Sequence, residues 1–269
     1  MSVADVIAAA RAEGRAALVG YLPAGFPDVE TSIAAMRAMV AGGVDVVEVG
    51  VPYSDPLMDG PVIQQAVEAA LRAGTRPRDA LAAATAVADA GAPALLMTYW
   101  NPVDRYGVER FAADLADAGA AGLITPDLIP DEGADWLAAS DAHGLDRVFL
   151  VAPSSTDARL EATTRACRGF VYAASTMGVT GVRSTVGDAA EVLVTRTRAV
   201  TDLPVCVGLG VSTREQASQV AGFADGVIVG SAFVRALAGG ATPSEGVAAV
   251  ERLTAELAAG VRAPAASAV

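Results

Sequence analysis

Ala41-Gly42-Gly43-Val44-Asp45-Val46-Val47-Glu48-Val49-Gly50 is the stretch on which the fold turns. An Ala-rich helical pattern stops at glycine, which accepts the left-handed backbone of a helix C-cap, and a Val-rich run follows at once, as in a strand buried on both faces. The same punctuation returns as AGAPALLMTY from Ala90, AGAAGLITP from Ala118 and AGFADGVIVGS from Ala221. Helix, short loop and strand therefore form a repeated unit.

Weaker matches bring the strand candidates to eight: Ala17–Tyr21, Val46–Gly50, Ala94–Thr98, Gly122–Thr125, Arg147–Val151, Phe170–Ala174, Val205–Leu209 and Gly226–Gly230. Parallel strands need crossover helices, and eight such units in roughly 250 residues is the size of a closed (β/α)8 barrel, the TIM-barrel form of the α/β class. An open doubly wound sheet is the alternative. No Pro/Ser-rich linker or charge run divides the chain, so residues 1–269 read as a single domain with a short N-terminal helix and a frayed C-terminal tail, APAASAV from Ala263.

Composition narrows the function. Hydrophobic residues are 53% of the chain but mostly Ala and Val, aromatics only 5%, and charged residues still 19%, a soluble profile. A formal charge of -12 disfavours a general grip on nucleic acid or on an anionic membrane. The charged N-terminus carries no export signal, and no window reaches the roughly 18 charge-free apolar residues of a membrane span. With only Cys167 and Cys206 present, neither a zinc pattern nor a disulfide framework is expected, and the expected compartment is cytoplasmic. Every basic residue is Arg; without lysine the chain cannot form a Schiff base or anchor pyridoxal phosphate.

In a barrel of this kind, reactive groups lie at the carboxyl ends of strands and on the loops that follow. Glu48 is expected near the end of the second strand, where a buried carboxylate loses several kcal/mol of hydration unless it is paired, protonated or used. Asp59 follows on the loop whose path Pro52-Tyr53-Ser54-Asp55-Pro56 constrains, with no Lys or Arg nearby in sequence to neutralise either acid. Read singly, each is more often an ion-pair or turn residue; together, two acids in different surroundings can divide proton transfer between them. Tyr99, Asn101, Asp127 and Tyr172 fall at the same expected end, while the opposite end is expected to carry only helix caps.

Two glycine-rich turns, Val207-Gly208-Leu209-Gly210-Val211-Ser212 and Val229-Gly230-Ser231, fall after the seventh and eighth strands, where backbone amides and a helix N-terminus commonly cradle phosphate. Ser175 to Arg183, small, polar and glycine-rich, suits a lid that completes this shell through Gly181. The single histidine, His143, sits before a helix-ending glycine and supports no Ser-His-Asp triad. Dinucleotide, Walker and metal-ligand spacings are missing.

Glu48 to Pro61, EVGVPYSDPLMDGP, closely resembles the signature of the tryptophan synthase α subunit family, and the likeness extends through Leu22-Pro23-Ala24-Gly25, Met97 to Pro102, Gly178-Val179-Thr180-Gly181, Gly208 to Ser212 and Gly230-Ser231. The resemblance implies a (β/α)8 lyase of tryptophan biosynthesis that cleaves indole-3-glycerol phosphate, by a retro-aldol reaction, into indole and glyceraldehyde 3-phosphate. By matching position, Glu48 would be the principal acid-base residue and Asp59 would hold the indole N–H. Tyr21, Leu22, Ile63 and Met97 would wall the indole slot, and Tyr172 would line the pocket. Thr180 would set the lid against Asp59, with Gly181, Gly210, Gly230 and Ser231 holding phosphate. The resemblance further implies no cofactor or metal in this chain, a β-subunit partner that carries pyridoxal phosphate, and an αββα heterotetramer contacted through Pro52 to Asp59. A catalytically weak subunit that mainly activates the β subunit is the alternative; an isomerase on a related indole precursor lacks the expected Cys/Asp or lysine machinery. Met58 and Leu209 depart from frequent Ala and Phe.

Overall fold

The computed structural model describes residues 2–175, 188–208 and 210–264. Eight strands, β1 (Ala17–Pro23), β2 (Val46–Gly50), β3 (Ala94–Met97), β4 (Gly122–Thr125), β5 (Asp146–Val151), β6 (Val171–Ala174), β7 (Val205–Gly208) and β8 (Gly226–Val229), close in chain order, all parallel, with β8 returning to β1. Helices occupy the connections. This is the closed (β/α)8 barrel, not the open sheet.

Local sequence accounts for the units. Asp28 accepts the Thr31 amide at 2.7 Å and caps the helix Val29–Gly42, and Gly43 ends it at φ 104°, in the left-handed region. Gly91 and Gly119 do the same, whereas Gly222 keeps φ -66°, so the fourth Ala-Gly repeat turns without a left-handed residue.

Strand side chains alternate between two cores. Val19, Val46, Leu95, Ile124, Val148, Cys206 and Ile228 fill the barrel with Val3, Ile7 and Ala10 of the helix Val3–Ala12, which closes its amino-terminal end. Leu18, Leu22, Val47, Val49, Leu96 and Leu123 point outward under the helices. Both faces are apolar because both are covered, which is why the strands read as continuous Val/Leu/Ile runs.

That alternation corrects two expectations. Glu48 lies in the middle of β2, not at its end, and points inward because Val46 does. Leu22 belongs to the outer core and is fully buried there, so it walls no slot inside the barrel. The strand ends also shift: β1 runs on to Pro23, and Thr98, Arg147's neighbour Asp146 and Phe170 change sides of their boundaries by one residue. Among the described residues no helix is long and apolar enough to cross a membrane.

The amino-terminal end holds more than caps. Asp45 takes both terminal nitrogens of Arg15 at 2.8 and 2.9 Å and the Leu18 amide at 2.8 Å. Asp225 accepts the Val205 amide at 2.9 Å and pairs with Arg198 at 3.0 Å; Asp146 accepts the Val3 amide at 3.2 Å. Sequence alone missed these because each partner is far along the chain.

Candidate active site

At the carboxyl end of the strands the barrel opens into a cavity of about 450 Å³. Tyr21 from β1, Glu48 from β2, Met97 from β3 and Tyr172 from β6 reach it from the wall; Asp59 and Ile63 come from the β2 loop and the helix Pro61–Arg72 that follows; Gly210, Gly230 and Ser231 come from the loops after β7 and β8. Of the described residues expected to hold substrate or do the chemistry, Leu22 alone is missing from the lining. Thr180, Gly181, the rest of the expected lid beyond Ser175, and Leu209 lie outside the described residues. Asn101 and Asp127 do not line the cavity: the Asn101 amide nitrogen donates to the Tyr53 hydroxyl at 3.2 Å, and the Asp127 carboxylate takes the Trp100 amide at 2.8 Å. His143 pairs with Glu109 at 2.9 Å, well away from the cavity.

Glu48 is 1% exposed. Among the described residues five buried side-chain polar atoms lack a hydrogen-bond partner, and two of them are the oxygens of Glu48. Unpaired burial penalises the carboxylate, and it pushes the Glu48 pKa up to about 8. Such a group holds a proton at neutral pH and still gives it up at modest cost, the property required of one residue that both donates and accepts.

Asp59 is half-buried, and its pKa is raised by burial, while a hydrogen bond from Tyr99 works the other way. The two acids thus differ in kind. One is enclosed, with no partner among the described residues; the other is partly solvated, with the Tyr99 hydroxyl lowering its pKa. Burial also raises the Tyr21 and Tyr172 hydroxyls, which stay protonated and act as neutral walls.

Two close approaches shape those walls. A side chain at Gly50 would meet the Tyr21 hydroxyl at 2.4 Å, and one at Gly208 would meet that of Tyr172 at 2.6 Å, so each ring lies across a neighbouring strand only because that strand carries glycine. Beside Tyr21, Gly230 precedes the helix Ser231–Ala238, whose first amides have no intrahelical acceptor and present partial positive charge. Gly210 stands at φ 73°, leaving open space beside its backbone. The Ser212 amide is already taken by Gln216 at 2.8 Å, which restricts the anion-holding stretch to the turn before it.

The arrangement is a mostly apolar cavity that holds a buried acid, a half-buried second acid, and glycine turns with a helix N-terminus. It suits a planar aromatic group joined to a phosphate. Comparison with known proteins agrees: the model of the family described as Tryptophan synthase alpha chain matches residues 7–262.

The chain belongs to the tryptophan synthase alpha chain family.

Its relatives in that family include the alpha chains of Thermobifida fusca, 63% identical over 262 residues with 96% of this chain and 97% of the relative covered, and of Salinispora arenicola, 66% identical over 256 residues with 95% and 96% covered. A solved structure of Mycobacterium tuberculosis tryptophan synthase aligns at TM-score 0.90 and 63% identity, covering 97% of this chain and 98% of that one. Subunit alpha from Legionella pneumophila still aligns at TM-score 0.86 with 30% identity, covering 97% and 98%.

Sequence reasoning left out Pro126, Leu150, Ala152, Ala174 and Ile228, which also line the cavity. Leu150 and Ile228 were within reach of strand parity, since each lies an even number of positions from an inward residue, Val148 in β5 and Gly226 in β8. The remaining three carry no chemical signal. Among the described residues, no group of three or more His, Cys, Asp or Glu is placed to hold a metal ion.

Proposed function

We infer that this chain is a lyase of tryptophan biosynthesis that cleaves indole-3-glycerol phosphate to indole and glyceraldehyde 3-phosphate, with Glu48 and Asp59 as its working acids. One observation carries the assignment of roles: a buried glutamate with no partner among the described residues and a half-buried aspartate share one cavity with the glycine turns after β7 and β8. The carbon–carbon bond to break joins indole C3 to the hydroxyl-bearing carbon of the glycerol arm. Protonated Glu48 delivers its proton to C3, and the electron deficit appears at the indole nitrogen, whose N–H hydrogen-bonds the Asp59 carboxylate. The Glu48 carboxylate then takes the proton of the glycerol hydroxyl. As that oxygen becomes an aldehyde, the bond to C3 breaks and its electron pair restores the aromatic ring. Protons balance, with Glu48 returned to its starting form.

Tyr21, Ile63, Met97 and Tyr172 hold the ring; Gly210, Gly230 and Ser231 hold the phosphate, joined in this proposal by Thr180 and Gly181. The chain itself needs no cofactor or metal for these steps, and without lysine it anchors no pyridoxal phosphate, which the proposal assigns to the β partner. Membership in the family implies a β-subunit partner, and an αββα heterotetramer is the proposed assembly. Leu57, 78% exposed, and Met58, 55% exposed, lie on the Asp59 loop and offer the apolar contact such a partner would cover. Cytoplasmic placement belongs to the proposal as well.

The activator-only reading is not favoured, because a subunit that merely stimulates a partner has no use for an unpaired buried acid. The test is indole release from indole-3-glycerol phosphate, with and without a β subunit. Release that the β subunit enhances is the expected result; no release in either condition overturns the assignment.

A further inference from the structure

Asp59 sits on a loop, yet its task in the proposed reaction demands a fixed position. Tyr99 supplies it. The residue is 5% exposed and lies between β3 and the helix Trp100–Tyr106, outside the roll of residues that line the main cavity. Its hydroxyl accepts the Met58 amide at 2.9 Å, and the Asp59 carboxylate, next along the chain, lies near enough for that hydroxyl to lower its pKa. A phenol has one proton and cannot share it with an amide N–H, which is itself a donor. The Met58 contact therefore leaves the Tyr99 proton free for an acceptor, and the Asp59 carboxylate is the acidic group whose pKa that hydroxyl lowers.

The residue in turn is held at its ring and through the backbone beside it. It packs against Tyr53 at 5.3 Å between centroids, and the Trp100 amide next to it is tied to the Asp127 carboxylate of the following strand's loop at 2.8 Å. A loop with exposed Leu57 and Met58 is thereby referenced to the barrel wall at one atom.

We propose that Tyr99 is a positioning residue for the reaction, holding the Asp59 carboxylate, and the peptide that precedes it, at a single point on the cavity rim. The proposal rests on the cleavage reading. Indole release by the wild-type chain, in the same assay, separates a failure of that reading from a failure of this one.

The test is Tyr99→Phe, assayed for indole release in the α-β complex across pH, with the folded fraction measured in parallel. Loss of the clamp lowers kcat roughly 10- to 100-fold, the scale of a small misplacement of a catalytic group. It also removes a bond that favours the carboxylate, so the acid limb of the kcat profile moves to higher pH. Incorporation of 3-fluorotyrosine at position 99 keeps the ring and hydroxyl but makes a stronger donor, and moves the same limb to lower pH. A wild-type kcat in Tyr99→Phe, or a loss that follows the folded fraction while neither variant moves the limb, overturns the proposal.

Discussion

Buried carboxylates occur at both ends of this barrel and meet opposite fates. At the amino-terminal floor, the buried Asp146 and Asp225 and the partly buried Asp45 each accept a backbone amide, and Asp45 and Asp225 add arginine partners. At the mouth, Glu48 is as deeply buried and has no partner among the described residues. The floor satisfies its polar groups and thereby contributes to stability; the mouth leaves one unsatisfied and bears a cost in stability for a reactive proton. Between Glu48 and the buried Asp146 and Asp225 the difference is one of partners, since the residue type and depth are nearly the same.

The largest test of this contrast is Glu48→Gln. Cleavage of indole-3-glycerol phosphate should fall about 10²- to 10⁴-fold, the usual worth of a general acid-base, with the fold kept. The same substitution should remove a pH dependence of stability. Glu48 ionises near 4.5 when unfolded and at about 8 when folded, so between those values the folded chain keeps a proton that the unfolded chain releases. Its contribution is complete below the lower value and lost as pH rises through the higher one, at about 1.4 kcal/mol per pH unit. Urea denaturation at pH 5 and pH 8 should show the wild type losing stability relative to Glu48→Gln as pH rises. Parallel curves for the two proteins would mean that Glu48 is not held protonated.

Asp45→Ala should behave in the reverse way. The Leu18 amide loses its acceptor and Arg15 keeps only Glu13 and the Ala16 carbonyl, costing about 1–3 kcal/mol in urea denaturation, while kcat per folded molecule stays at the wild-type value. A large fall in kcat would erase the division between the ends.

The smallest test compares two left-handed glycines. Gly91 at φ 96° and Gly210 at φ 73° both face open space, so Ala at either position should cost about 1–2 kcal/mol of backbone strain. Only Gly210→Ala should raise KM for the phosphate-bearing substrate, because only that turn borders the cavity. An equal effect of Gly91→Ala on KM would remove Gly210 from the anion site.

Much of this was legible along the chain. The Ala-Gly punctuation before Val/Leu/Ile runs gave four of the parallel strands and weaker matches the other four, because a strand covered on both faces has no polar alternation to hide it. The EVGVPYSDPLMDGP segment located both acids. Strand boundaries drifted by a residue or two where a loop continues the ladder, as at Pro23, whose neighbour Ala24 still bonds the Gly50 carbonyl at 2.9 Å. Leu22 was assigned to the slot beside Tyr21, although adjacent residues on a strand face opposite ways.

What the sequence by itself determined is therefore the repeated helix-strand unit, the absence of lysine, and the presence of two acids in an apolar neighbourhood. Whether a buried acid is paired was decided only in three dimensions. Asp45 meets Arg15 and Asp225 meets Arg198 across about 30 residues each, and nothing meets Glu48 among the described residues. The cause is that burial is a local property, readable from apolar neighbours in the chain, whereas a hydrogen-bond partner is whatever closure of the barrel brings alongside.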